Sequence, residues 1–481
     1  MRATVLIGTT LATLLLVGCA VGPDYRNPEV APADFKNAQQ PNLSPTAIDA
    51  SWWKQFEDAT LDGLVGSALA SNNDLRVAVS RVKEARALAV VTEKDRFPTV
   101  TSAAGYQKGR QSESQLVSPD QPRDFESYSV GFDAAWEIDL FGRVRRSVEA
   151  AHADAQAAEA GLRDAQVSVV AEVARNYFEL RGAQRRLQVA QQNLENQRET
   201  LHITQVRYDA GRGMELDVAS AAARVKATEA SISPLITDEK RAEYRLAILT
   251  GVRPGELAVD LSPRSLPPLA KQIPIGDPEE LLRRRPDIRA VERGLASATA
   301  RVGVATADLF PRLSISGFLG FVAGRGTLIG RSESESWFVA PTLSWPAFDL
   351  GRANDRLRAS EAVSEGQLAA YQQTVLRALE ETENAFVGYG EEQRRLANLM
   401  EQARQSERAA QLAQVRYREG VTDFLTLLDA QRTQLQAEDA VAVSEVQVYT
   451  GVVAIYKALG GGWEACPEAS CMNLAAAAVS K

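Results

Sequence analysis

Residues 127–140 read SYSVGFDAAWEIDL, and whether they form a strand or part of a helix decides the architecture of the chain. Tyr128, Val130, Phe132, Ala134, Trp136 and Ile138 alternate with Ser129, Gly131, Asp133, Ala135, Glu137 and Asp139. Side chains along a strand point to opposite faces in turn, so this alternation predicts a strand with one apolar and one polar face. A second stretch, 337–347, places Trp337, Val339, Pro341, Leu343 and Trp345 on one face. The predicted partners are 98–107 (PTVTSAAGYQ) and 311–321 (PRLSISGFLGF). Strands of about 9–11 alternating residues with aromatics near their ends fit a transmembrane barrel. A half-buried soluble hairpin is the other reading. Asp133, Glu137 and Asp139 are expected to face an aqueous lumen.

The two strand pairs belong to a longer repeat. DLRVAVSRVKEARALAVVTEKDRFP (74–98) aligns with DIRAVERGLASATARVGVATADLFP (287–311), 213 residues on. From Trp136 and Trp345 onward the spacing is 209, and VRYDAG (206–211) falls on VRYREG (415–420). Two copies of one unit are therefore expected, despite a length that suggests two or three domains.

Between the strands and the VRY phrases the pattern is helical. Leu180, Leu187, Leu194, Leu201 and Tyr208 recur every seven residues, as do Tyr389, Leu396, Ala403, Ala410 and Tyr417. Val148, Ala155, Leu162 and Val169 form an upstream track joined by a four-residue step at Val173. A sustained seven-residue period predicts coiled-coil packing, with local unwinding at the step. Some 65 helical residues span about 100 Å. Glycines after each helix mark turns at 209–213 and 419–422, and further helical runs follow at 215–250 and 424–459. Each copy thus builds a helical hairpin whose tip is the repeated phrase.

The expected layout follows. Residues 1–18 read as a secretory signal, with one Arg, an apolar run and small residues before Cys19. Residues 19–57 form an extended leader, 58–253 the first repeat, 254–278 a proline-rich linker, 279–462 the second repeat and 463–481 a tail. Beyond the signal, no apolar run is long enough for a membrane-spanning helix. A net charge of −8 argues against nucleic acid as a partner. Two histidines and three cysteines leave few ligands for a metal site, and no nucleophile elbow or phosphate loop is present. Neither a cofactor nor catalysis is expected. Cys466 and Cys471 either pair in an oxidising compartment or stay free. One chain offers four strands, and an open edge in lipid leaves backbone groups unsatisfied, so several chains must close the barrel. Two copies would fill the interior with side chains; three would leave a lumen.

LVGC (16–19), VGPDY (21–25), WWKQF (52–56), two FP helix-to-strand junctions, two VRY tips and GGW (461–463) occur in order over nearly the whole mature chain. So does YREGVTDFLTLLDAQRTQL (417–435). With these the chain resembles the outer-membrane efflux proteins of the TolC and OprM family, in their lipid-anchored NodT-type branch. The resemblance implies a mixed α/β membrane protein: a homotrimer with a twelve-stranded outer-membrane β-barrel, continued by a periplasmic α-helical tunnel. It implies an exit duct of a tripartite pump for small molecules such as drugs. The lipid sits on Cys19, and a periplasmic membrane-fusion adaptor and an inner-membrane transporter are partners. Adaptor contacts are expected at the tips, at Tyr208, Gly211, Gly213, Tyr417 and Gly420.

The family's periplasmic gate matches Leu425, Asp429 and Arg432. These residues share a helix face, and two arrangements are open to them: Asp–Arg bridges between neighbouring chains, or a local pair on a solvated face. Ser220 and Ala223 stand at the first-copy positions, so only the second hairpin is expected to gate. A protein-secretion duct of the same fold and a periplasmic coiled-coil adaptor lipoprotein are the rival readings.

Overall fold

The computed structural model describes residues 20–28, 35–115, 118, 122–269, 272–276 and 284–465. The signal segment, Cys19, Cys466 and Cys471 lie outside these residues. The main elements are α1 (Ala59–Ser71), α2 (Asn73–Lys94), β1 (Thr99–Arg110), β2 (Asp124–Ile138), α3 (Arg143–Asp209) and α4 (Glu215–Leu249). After these come α5 (Pro286–Ala307), β3 (Arg312–Ala323), β4 (Glu335–Ser344), α6 (Leu350–Arg418) and α7 (Phe424–Ala458). The chain divides into two compact units that cut across the sequence repeats. One comprises 1–29, 82–159 and 290–372; the other comprises 30–81, 160–289 and 373–481.

The first unit holds the sheet. Its order is β1-β2-β3-β4, every pair antiparallel, so β1 and β4 are the edges. Register confirms the face assignment, because directly opposed residues share a face. Phe132 lies opposite Leu319, and Leu319 opposite Trp337. Among the described residues the middle of this apolar face is largely uncovered: Leu319 is 65 % and Trp337 72 % exposed. The opposite face carries Thr101, Ser129, Asp133, Ser316 and Thr342, interrupted by stacked Phe318 and Phe338.

The strands differ from their expected bounds of 98–107, 128–140, 311–321 and 337–347. At one end the hairpins run on beyond the apolar alternation. Lys108 pairs with Glu126 at 2.8 Å and Arg110 lies opposite Asp124, so cross-strand ion pairs extend the ladder. At the other end Asp139 leaves the sheet. It accepts from the backbone N–H groups of Val144 and Arg145 at 3.1 and 2.9 Å, capping α3. Glu137 likewise binds Arg143, at 2.6 Å. Helices α2 and α5 are tied to α3 by Arg86–Glu159 at 2.6 Å and Arg301–Asp154 at 2.7 Å.

The second unit holds the main core. Tyr177, Phe178 and Leu180 of α3, Leu246 of α4, Phe386 and Tyr389 of α6 and Val452 of α7 are buried together. The leader is more than an extended strap, because Phe35, Leu43, Trp52, Trp53 and Phe56 enter this core. Trp52 stacks on Tyr456 at 4.9 Å. The proline-rich linker is drawn in too. Ile273–Pro274 pairs in parallel with Leu43–Ser44, and buried Arg181 donates to the carbonyl of Ser262 at 2.6 Å. Asn72 joins α1 to α2: its side chain accepts from Asp74 N–H at 2.8 Å and donates to the Leu249 carbonyl at 2.9 Å.

Candidate functional site

Both helical hairpins turn by the same bonds. Helix α3 ends at Asp209, where Gly211 N–H donates to Tyr208 O and Arg212 N–H to Arg207 O, each at 2.8 Å. Helix α6 ends at Arg418, where Gly420 N–H donates to Tyr417 O at 3.0 Å and Val421 N–H to Arg416 O at 2.8 Å. This Schellman pattern satisfies the last carbonyls and requires a left-handed residue. Gly211 and Gly420 supply it, at φ +69 and +77°. The second turn also carries a cap, since Asp423 accepts from Thr426 N–H at 2.7 Å. Met214 starts α4 with no side-chain cap.

The two tips are locked to each other. The Arg207 guanidinium lies 4.6 Å over the Tyr417 ring, and Arg207 also donates to the Tyr417 carbonyl. Tyr417 packs on Phe424 at 5.7 Å. The surrounding cluster takes in Ala221, Ala413 and Leu427. Of the residues expected to meet an adaptor, Tyr208, Gly211 and Gly420 are exposed and Gly213 is half-buried. Tyr417 is 4 % exposed, so its ring is part of the tip's core and not a free contact. A ring at the last turn of an amphipathic helix reads equally well as surface or core until its partner, here Arg207, is known.

Leu427 is buried and Gln431 donates to Thr200 Oγ1 at 2.9 Å, which fixes the rotation of α7. That rotation leaves Leu425, Asp429 and Arg432 on the open side. Leu425 is 63 % exposed. Arg432 donates to Asp429 of the same chain, and both side chains are more than half exposed. Within one protomer the structure therefore has the local pair. Sequence reasoning missed a neighbour, Arg224 of α4. Burial, with the positive charge of Arg432 added, pushes its guanidinium down from its ordinary value, and its Nε is buried without a hydrogen-bond partner. Arg224 is one turn on from Ala221, which the structure buries in the same cluster as Leu427.

Among the described residues no group of three or more His, Cys, Asp or Glu could hold a metal, and no helix is long and apolar enough to cross a membrane.

A family profile described as outer membrane efflux protein matches residues 64–252 and 278–461. Outer membrane protein OprJ of Pseudomonas aeruginosa is 33 % identical over 460 residues, covering 95 % of this chain and 96 % of that protein. Nodulation protein T of Rhizobium leguminosarum bv. trifolii is 29 % identical over 469 residues, covering 96 % and 98 %. Among solved structures, the outer-membrane channel OprN is 54 % identical with a TM-score of 0.90, covering 93 % of this chain and 100 % of that one.

Proposed function

The chain belongs to the outer membrane efflux protein family, and we propose that it works as a homotrimer whose twelve strands close one outer-membrane β-barrel. It is the outer-membrane duct of an efflux pump, passing small molecules to the exterior. One observation carries the trimer: a four-stranded sheet with a lipid-suited face and two open edges. Each unpaired backbone group in hydrocarbon costs several kcal/mol, so β1 of one copy must pair with β4 of the next. Three copies leave the polar faces around an aqueous lumen.

Within this reading Cys19 carries lipid, and the two repeats supply an inner and an outer hairpin. The glycine turns present exposed backbone to a periplasmic adaptor, which an inner-membrane transporter feeds. Tyr208 adds side-chain contact, while Tyr417 supports the surface from beneath. In the resting trimer Arg432 exchanges its own Asp429 for that of a neighbour, drawing three α7 helices to the axis with a ring of Asp429 carboxylates over a ring of Leu425 side chains. Purified protein reconstituted in planar bilayers should conduct in discrete, uniform steps. A preparation that inserts but never conducts would contradict the duct.

A further inference from the structure

We propose that the seam between α3 and α5 is a built binding slot for residues 20–25, which fixes the point where the lipid-bearing N-terminus meets the sheet. The proposal rests on the lipid reading of Cys19 for its purpose, but not for its geometry.

The slot is made from both helices. Val21 N–H donates to the Phe141 carbonyl at 3.1 Å, so the leader continues the hydrogen bonding just past the end of β2. Arg146 of α3 is 5 % exposed and spends its guanidinium largely on the leader. It donates to the carbonyls of Val21 at 3.2 Å and Gly22 at 3.4 Å, and to the Asp24 carboxylate at 2.6 Å. From α5, Glu292 accepts from the Tyr25 hydroxyl, and the Arg293 guanidinium stands 5.2 Å over the Tyr25 ring.

Shape selects as strongly as charge. Gly22 has φ +87°, and a Cβ there would lie 2.5 Å from the Cα of Gly303 on α5. Gly142 has φ +84°, and its Cβ would lie 2.6 Å from the Cα of Ala20. Gly22 and Gly142 thus lack side chains where backbones touch, and a Cβ at Gly303 would lie 2.8 Å from Arg146 Cγ, inside the slot. The repeat provides an internal control. Gly351, the counterpart of Gly142, faces open space, and Asp355 stands where Arg146 would be. Only one of the two otherwise similar junctions is furnished to hold a leader.

The consequence is positional. Cys19 is one peptide bond from Ala20, and Ala20 touches Gly142, four residues beyond the last residue of β2. Acyl chains on Cys19 therefore enter the membrane beside the inner strand ends, level with Ile138 and Leu313, which oppose each other in the sheet. The slot sets anchor and barrel at one depth.

The test severs the leader. A protease recognition sequence inserted between Pro28 and Glu29 is cut in full-length trimer purified from palmitate-labelled cells, and the sample is gel-filtered. The severed fragment should stay with the trimer, identified by mass. Gly22→Val, which alters only the leader, should speed its release about tenfold or more, the factor expected from losing a hydrogen bond to a charged group. Gly303→Leu should do the same from the other side. Both uncut variants should keep their label and their trimer. Release from the unsubstituted protein as fast as from Gly22→Val overturns the slot. A retained but unlabelled fragment overturns the lipid reading and leaves the slot standing.

Discussion

Asp429 and Arg432 hold each other within one chain, and both are more than half exposed. An exposed pair three apart on a helix contributes only about 0.2–0.5 kcal/mol, so it gives up its partner easily. A partly desolvated charged bond across an interface is worth about 1.5–3 kcal/mol, which favours the exchange proposed for the resting trimer. Arg432→Ala and Asp429→Ala should therefore each raise resting conductance in planar bilayers, with the double variant less than additive. Wild-type conductance in both would place the constriction elsewhere. Asp164 offers a test against pH. Burial, aided by the charge of Asp287, raises its carboxyl above the ordinary value, although Arg285 pulls the other way. A folded pKa above the unfolded one means that this contribution is present below about pH 4 and lost as pH rises through the folded pKa. Asp164→Asn should raise the thermal midpoint at pH 7 and leave it unchanged at pH 3. At this scale the sequence supplied residue types and missed partners. Asp139 reads as one more polar strand residue until the backbone of α3 arrives to be capped, and Arg146 meets Asp24 across 122 residues.

The elements were far more legible, because periodicity is local. Leu180, Tyr389 and Ala410, picked out by a seven-residue spacing, are buried, and the strand alternation gives the correct faces. Ends were less legible: charge pairs such as Lys108–Glu126 lengthen strands where hydrophobicity no longer alternates. The tips are the elements proposed to meet a partner, and their stiffness is testable. Tyr417 joins α6 to α3 through Arg207 and to α7 through Phe424. Truncating a buried aromatic costs about 3–5 kcal/mol. Tyr417→Ala should therefore speed backbone amide exchange at both turns, around Gly211 as well as Gly420, while exchange in the sheet stays unchanged. Acceleration confined to the second turn would mean that the tips are not mechanically joined.

For the whole molecule, the repeat predicted two similar halves, yet each compact unit takes segments from both. Four helices, α2, α3, α5 and α6, contribute to both units, so a boundary drawn along the sequence could not coincide with a boundary in space. What the sequence did carry to this scale is incompleteness: a four-stranded sheet with a largely uncovered apolar face and two open edges among the described residues. The account stands on the closure of those edges by other copies. The most direct measurement is the mass of the particle extracted in mild detergent, by light scattering or native mass spectrometry, with strand content checked on the same sample. Three chains per particle is the predicted result. A stable particle of one chain that keeps its strands would contradict it.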